Sequence, residues 1–104
     1  MSGVDFQTVR RNVLLADVLA LLEFEPTSVR GDQWRGPCPV HGSTSPRSRS
    51  FSANLRLGRY QCFRCGSRGN ALELWAAVRQ ISLHAAAIEL CELLRKEVPW
   101  IRRW

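Results

Sequence analysis

The sequence predicts an α+β fold in which a small antiparallel sheet, pinned by a bound metal ion, is flanked by an N-terminal helix and two C-terminal helices. Three observations carry this reading. Apolar residues recur at three- and four-residue spacing near both ends of the chain. The middle alternates apolar and polar residues in short runs. Two cysteine-bearing pairs lie in that middle segment.

The elements follow in order. In TVRRNVLLADVLALL, Val9, Val13, Leu14, Val18, Leu21 and Leu22 fall at helical spacing, which predicts an N-terminal helix over about 8–22 that closes near Pro26. From Ser28 to Ser52 the chain turns to Gly, Pro, Ser and Arg, the composition of loops and short strands. SFSANLRL then alternates, with Phe51, Ala53, Leu55 and Leu57 on one face of a predicted strand. Gly58 and Arg59 would turn the chain back into Tyr60-Gln61-Cys62, delivering Cys62 at a hairpin end. After Gly69, the segment ALELWAAVRQ places Leu72, Trp75 and Val78 on one helical face. Ser82 is a cap for a last helix in which Leu83, Ala87, Leu90, Cys91 and Leu94 recur, and Pro99 ends the pattern. The expected organisation is one domain over 1–104: helix about 8–22, sheet and metal segment about 28–68, C-terminal helices about 70–95, and a tail at 96–104.

The metal site is the sharpest chemical signal. Cys38-Pro-Val-His41 and Cys62-Phe-Arg-Cys65 each hold two ligands with two residues between them, the spacing at which one tight knuckle aims both side chains at one ion. The intervening chain is long enough for a hairpin that returns the second knuckle beside the first. Gly42 and Gly66 directly follow a ligand, where a left-handed backbone turns amides toward sulfur. Nitrogen and sulfur ligands with no position left for water describe one structural Zn²⁺, held by Cys38, His41, Cys62 and Cys65. In so small a chain this staple is expected to organise the fold. Cys91, alone on an apolar helix face, reads as a core thiol, and His84 as a surface histidine.

Charge then separates the segments. The formal net charge is +6, with 15 Lys and Arg against 9 Asp and Glu. It is concentrated in residues 30–68, where Arg30, Arg35, Arg47, Arg49, Arg56, Arg59, Arg64 and Arg68 face only Asp32. The basic segment is the cysteine segment, and its charge is all arginine, whose planar fork suits phosphate. No apolar run approaches the roughly 18 residues of a membrane span, and the start MSGVDFQTVRR lacks the apolar block of a secretory leader, so a reducing cytoplasmic location is expected.

Together these residues resemble the amino-terminal zinc-binding domain of bacterial and phage DNA primases, a zinc-ribbon family with Cys-His-Cys-Cys ligands. The likeness runs over about 14–94 and includes CPVHG, SPRSRSF, YQCFRCG, GNALELW and SLHAAAIELC. There are departures: Arg47 and Arg49 stand in a longer segment where the family carries Lys, Arg64 where it favours Gly, and Asn70 where Asp is frequent. The polymerising domain of the family is not represented in these 104 residues, and no Asp-x-Asp pair replaces it. The resemblance and the charge pattern imply a primase-like, non-enzymatic module in DNA replication that binds single-stranded or locally opened DNA. The expected contacts are Arg35, Arg47, Arg49, Arg56, Arg59, Arg64 and Arg68, with Tyr60 or Trp34 as a stacking platform. The alternative is a protein-interaction adaptor that docks on a separately encoded primase, helicase or transposase through Trp100 and Trp104 of the tail.

Overall fold

A computed structural model describes residues 3–40 and 48–99. The chain runs α1 (Phe6–Asn12), α2 (Leu15–Leu21), β1 (Ser28–Arg30), β2 (Gln33–Gly36), β3 (Phe51–Asn54), β4 (Arg59–Cys62), β5 (Arg68–Asn70), α3 (Ala71–Arg79) and α4 (Leu83–Leu93). This is the α+β class that the periodicities predict, with a larger sheet and a divided N-terminal helix.

The division occurs at Val13 and Leu14, both in extended backbone. Asp5 opens α1, its carboxylate accepting from the Thr8 amide and hydroxyl. A second carboxylate restarts the helix: Asp17 accepts from the Leu14 amide at 3.1 Å, satisfying a donor that the first turn of α2 leaves open. The corner changes the phase of the apolar stripe, so Leu15 and Leu19 enter the core with Val9, Val13 and Val18. Leu14, which a single helix would bury, is instead 59% exposed.

The five strands pair in sequence order, each antiparallel to the next. Because cross-strand partners point to the same side, the register sorts the sheet into two faces. Trp34, Gly36, Phe51, Ala53, Tyr60, Cys62 and Gly69 share the inner one. Phe51 is fully buried there, stacked on Tyr60 with centroids 5.6 Å apart and tilted against Phe24 at 5.2 Å. Gly36 is required at this point, since a Cβ would lie 2.7 Å from the Phe24 ring.

The predicted alternation in SFSANLRL holds only as far as Asn54. There the Asn54 side chain accepts from the Leu57 amide at 3.0 Å and its carbonyl from Gly58 at 2.9 Å, with Gly58 at φ 66°. This turn ejects Leu57, which is 68% exposed. β1, β2 and β5 come from segments too short and too polar to show a period of two.

The C-terminal pair lies as predicted. Asn70 caps α3 reciprocally with Glu73, each side chain accepting from the other's amide. Ser82 caps α4 through the Ala85 amide at 3.1 Å. Glu89 ties the two helices, accepting from Trp75 Nε1 at 3.0 Å and Arg79 Nε at 2.7 Å. Cys91 is buried among Leu90, Ala86 and Ala87, and burial pushes its thiol pKa up, as fits a core thiol. One continuous core thus spans all four helices and the inner sheet face. Cys38 and Cys62 belong to this same buried cluster, so the predicted metal staple and the packed core are continuous. Among the described residues no helix is long and apolar enough to cross a membrane.

Candidate zinc centre and nucleic-acid interface

The chain leaves β2 through Pro37 to Cys38, which is buried, and β4 ends on Cys62, also buried. The knuckle after β4 turns through Phe63 and Arg64 to an exposed Cys65. Gly66 has the left-handed backbone expected of a glycine after a ligand, at φ 80°, and closes the knuckle by donating its amide to the Cys62 carbonyl at 3.0 Å. The fold brings three of the four predicted ligands together: the Sγ atoms of Cys38, Cys62 and Cys65 lie within 4.8 Å of one another. His41, with Gly42, lies outside the described residues.

Tetrahedral zinc with Zn–S bonds of about 2.3 Å spaces neighbouring sulfurs about 3.8 Å apart. The Cys38 and Cys65 sulfurs are 4.0 Å apart, twice a disulfide bond length of about 2.05 Å. The amides of Arg64 and Cys65 each point at Cys62 Sγ at 3.4 Å. Burial pushes the Cys62 thiol up, but these two amides and the neighbouring thiols outweigh it and bring it down to about 6. A sulfur held as thiolate by backbone donors is poised to ligate a cation, so the residues present fit zinc.

The outer sheet face is built of two cross-strand rows. One runs Ser28, Arg35, Ser52, Gln61, Arg68, and the other Arg30, Gln33, Asn54, Arg59, Asn70. Arginines, amides and hydroxyls fill every position, and no strand residue on this face is acidic. A groove of about 610 Å³ crosses it, lined by Gln33, Ser52, Asn54, Arg59, Gln61 and Arg68 together with Tyr60, Gly69 and one carboxylate, Glu73. That carboxylate is already engaged by the Asn70 amide. Gln33 donates to Ser52 Oγ, fixing two of the lining groups.

The predicted contact residues distribute unevenly. Arg35, Arg59 and Arg68 share the outer face, as the register requires. Arg35 reaches toward the zinc end, where its Nε donates to the Arg49 carbonyl at 3.1 Å and its guanidinium stands 5.1 Å from the Phe63 ring centroid. Arg49 and Arg64 are exposed at that same end, and Arg56 is exposed on the β3–β4 turn. Arg47 lies outside the described residues. Tyr60 is corrected: the residue is 4% exposed, its ring stacks on Phe51 and its hydroxyl pairs with Ser67 Oγ at 2.7 Å, so the ring is packed into the core rather than laid open as a platform. Trp34 likewise packs on the core. Two groups escaped the sequence reading. Arg30 joins the outer face only through the β1–β2 register, and Phe63, inside the knuckle, is 61% exposed beside Arg35.

Known proteins carry the same architecture. The model of the CHC2 zinc finger family matches residues 5–102. The DNA primase of Lactococcus lactis is 32% identical over 95 residues, a stretch that covers 88% of this chain and 14% of that protein. The primase of Halalkalibacterium halodurans is 37% identical over 65 residues, 62% of this chain and 10% of that one. A crystal structure of the Aquifex aeolicus primase, comprising its zinc-binding and RNA polymerase domains, superposes with a TM-score of 0.71 at 28% identity, over 92% of this chain and 23% of that one. The match thus falls on a small fraction of each primase's length. With its three sulfurs gathered for a structural zinc and its sheet in the primase arrangement, the chain belongs to the CHC2 zinc finger family, the zinc-binding domain of DNA primases.

Proposed function

We propose that the chain is a primase-type zinc-ribbon module that binds single-stranded or locally opened DNA on the outer face of its sheet, without itself catalysing a reaction. One observation carries the reading: two cross-strand rows in which Arg30, Arg35, Arg59 and Arg68 alternate with amides and hydroxyls, unbroken by any carboxylate. Arginines at this spacing track phosphates, while Gln33, Asn54 and Gln61 offer paired donors and acceptors to base edges. Arg49 and Arg64 extend the track past the zinc knuckle, Arg56 adds charge on the β3–β4 turn, Arg47, outside the described residues, contributes to the same basic segment, and exposed Phe63 supplies the stacking surface.

His41 completes the zinc site as its fourth ligand in this reading, and the metal's role is structural. When bound it fixes the two knuckles to each other, and so fixes Phe63, Arg64 and Arg49 relative to the sheet. Among the described residues no cluster of carboxylates capable of holding catalytic magnesium accompanies the thiols. The family and the charge pattern taken together support a DNA partner, and the match to only the zinc-binding part of primases supports a non-enzymatic role.

The test is binding of labelled oligothymidylate, duplex DNA and RNA of equal length at two salt concentrations. Single-stranded DNA bound more tightly than duplex, with affinity falling steeply as salt rises, is the expected result. Equal affinity for all three at both salts would defeat the proposal.

A further inference from the structure

A second groove, of about 350 Å³, lies where the α1–α2 corner meets the β3–β4 turn. Its lining differs in kind from that of the sheet face. Its apolar part is Val13, Leu14, Leu15, Leu55 and Leu57, and its charged part is Arg10, Arg56 and Arg59, with no carboxylate among the lining residues. Isolated exposed leucines are ordinary on protein surfaces. These two are not isolated, since they come from different elements and face one cavity. Each is also held out by a dedicated side chain: the Asp17 carboxylate fixes the Leu14 amide, and the Asn54 side chain fixes the Leu57 amide. An apolar pair presented on fixed backbone avoids part of the ordering cost of binding.

We propose that this groove docks an acidic, leucine-bearing segment of a partner protein. The apolar floor calls for aliphatic side chains, and a rim of three arginines with no acidic counterpart calls for Asp or Glu around them. A strand of nucleic acid is the wrong occupant for a floor of leucines, because it offers sugars and phosphates where the groove offers Leu14 and Leu57. The site is independent of the nucleic-acid reading except that Arg59 borders both grooves and Arg56, in this rim, also adds to the charge offered to DNA. A partner seated here would therefore lie beside the outer sheet face and compete for these two arginines.

The experiment uses the zinc-loaded full chain, isotopically labelled, and a short fluorescein-labelled helical peptide rich in Glu with two leucines one turn apart. A control peptide replaces every Glu with Lys. The acidic peptide is expected to shift the amide resonances of Leu14, Leu55, Leu57 and Gly58 in a saturable way, and the basic one to leave them unchanged. Leu14→Ala and Leu57→Ser remove exposed side chains and should leave melting, zinc content and oligothymidylate affinity as they were. Each should weaken the acidic peptide about tenfold, the equivalent of losing one well-buried leucine contact. Three outcomes would overturn the proposal. One is acidic peptide bound equally by wild type and Leu57→Ser, or not at all. Another is groove resonances that move with protein concentration in a chain that dimerises, making a second copy the occupant. The third is oligothymidylate shifting Leu14 and Leu57 as strongly as Asn54 and Gln61.

Discussion

Neutralising Arg59 and Arg68 together is the perturbation that separates a phosphate-binding face from a merely charged one. Both are exposed on the outer face, one in each cross-strand row, and both line the 610 Å³ groove. Neither touches the inner core or the sulfurs, so Arg59→Ala with Arg68→Ala should leave the fold and zinc content intact. If Arg30, Arg35, Arg59 and Arg68 each engage one phosphate of a single strand, log affinity falls with log salt at a slope of about −0.7 per contact, or about −2.8 in all. The double variant should then show a slope of about −1.4. Between 50 and 200 mM salt the wild type would lose about fiftyfold in affinity and the variant only about sevenfold. Fluorescence anisotropy of labelled oligothymidylate across a salt series reads both numbers directly. An unchanged slope in a folded, zinc-loaded variant would refute the phosphate track and leave these arginines as solvated surface charge.

Other expected outcomes follow from the same structure. Cys62→Ser should abolish stoichiometric zinc and lower the melting temperature sharply, whereas Cys91→Ser should keep one zinc per chain; elemental analysis beside thermal denaturation distinguishes them, and equal zinc loss from both would misplace Cys91. Phe63→Ala should weaken single-stranded DNA by about 1–3 kcal/mol, the worth of one base stacked on an aromatic ring, with its salt slope unaltered; a changed slope and unchanged affinity would mean the ring only supports Arg35. The Glu89 carboxyl is held below its ordinary 4.5 by the Arg79 guanidinium, against burial that raises it, with help from Trp75. A depressed carboxylate stabilises the fold above pH 4.5 and loses that contribution as pH falls through the lowered value, so Glu89→Gln should flatten the acid limb of a stability profile followed by circular dichroism.

How much of this was legible in the sequence depends on whether the signal was local. The ligand pairs were legible because knuckle spacing is a local property, and three of the four sulfur and nitrogen donors now share one site. Helices α3 and α4 were legible too, with Ser82 as cap, because periodicity and capping agree there. The α1–α2 corner was not. Val9 to Leu22 reads as one stripe until the Asp17 carboxylate is seen to hold the Leu14 amide, and that interaction has no periodic signature. Strands β1, β2 and β5 escaped for another reason, since three- and four-residue runs such as SVR, QWRG and RGN depend on pairing rather than on pattern. The same limit hid Arg30, whose place on the outer face is a consequence of register alone. That Tyr60 is buried and Phe63 exposed was not legible either, because both are aromatic residues close to Cys62 and only the sheet's alternation decides which points inward. The tail tryptophans Trp100 and Trp104 lie outside the described residues.

If the outer face of the sheet holds a single strand of DNA, the groups of both cross-strand rows must sense that strand. Unlabelled oligothymidylate titrated into the labelled, zinc-loaded chain, with amide and arginine side-chain resonances followed, is the test. Saturable shifts are expected at Ser52, Asn54, Arg59, Gln61 and Arg68, extending to Phe63 and Arg64, with Leu14 and the helices α3 and α4 unmoved. Shifts confined to the helices, or none at concentrations that saturate binding in solution, would contradict this reading.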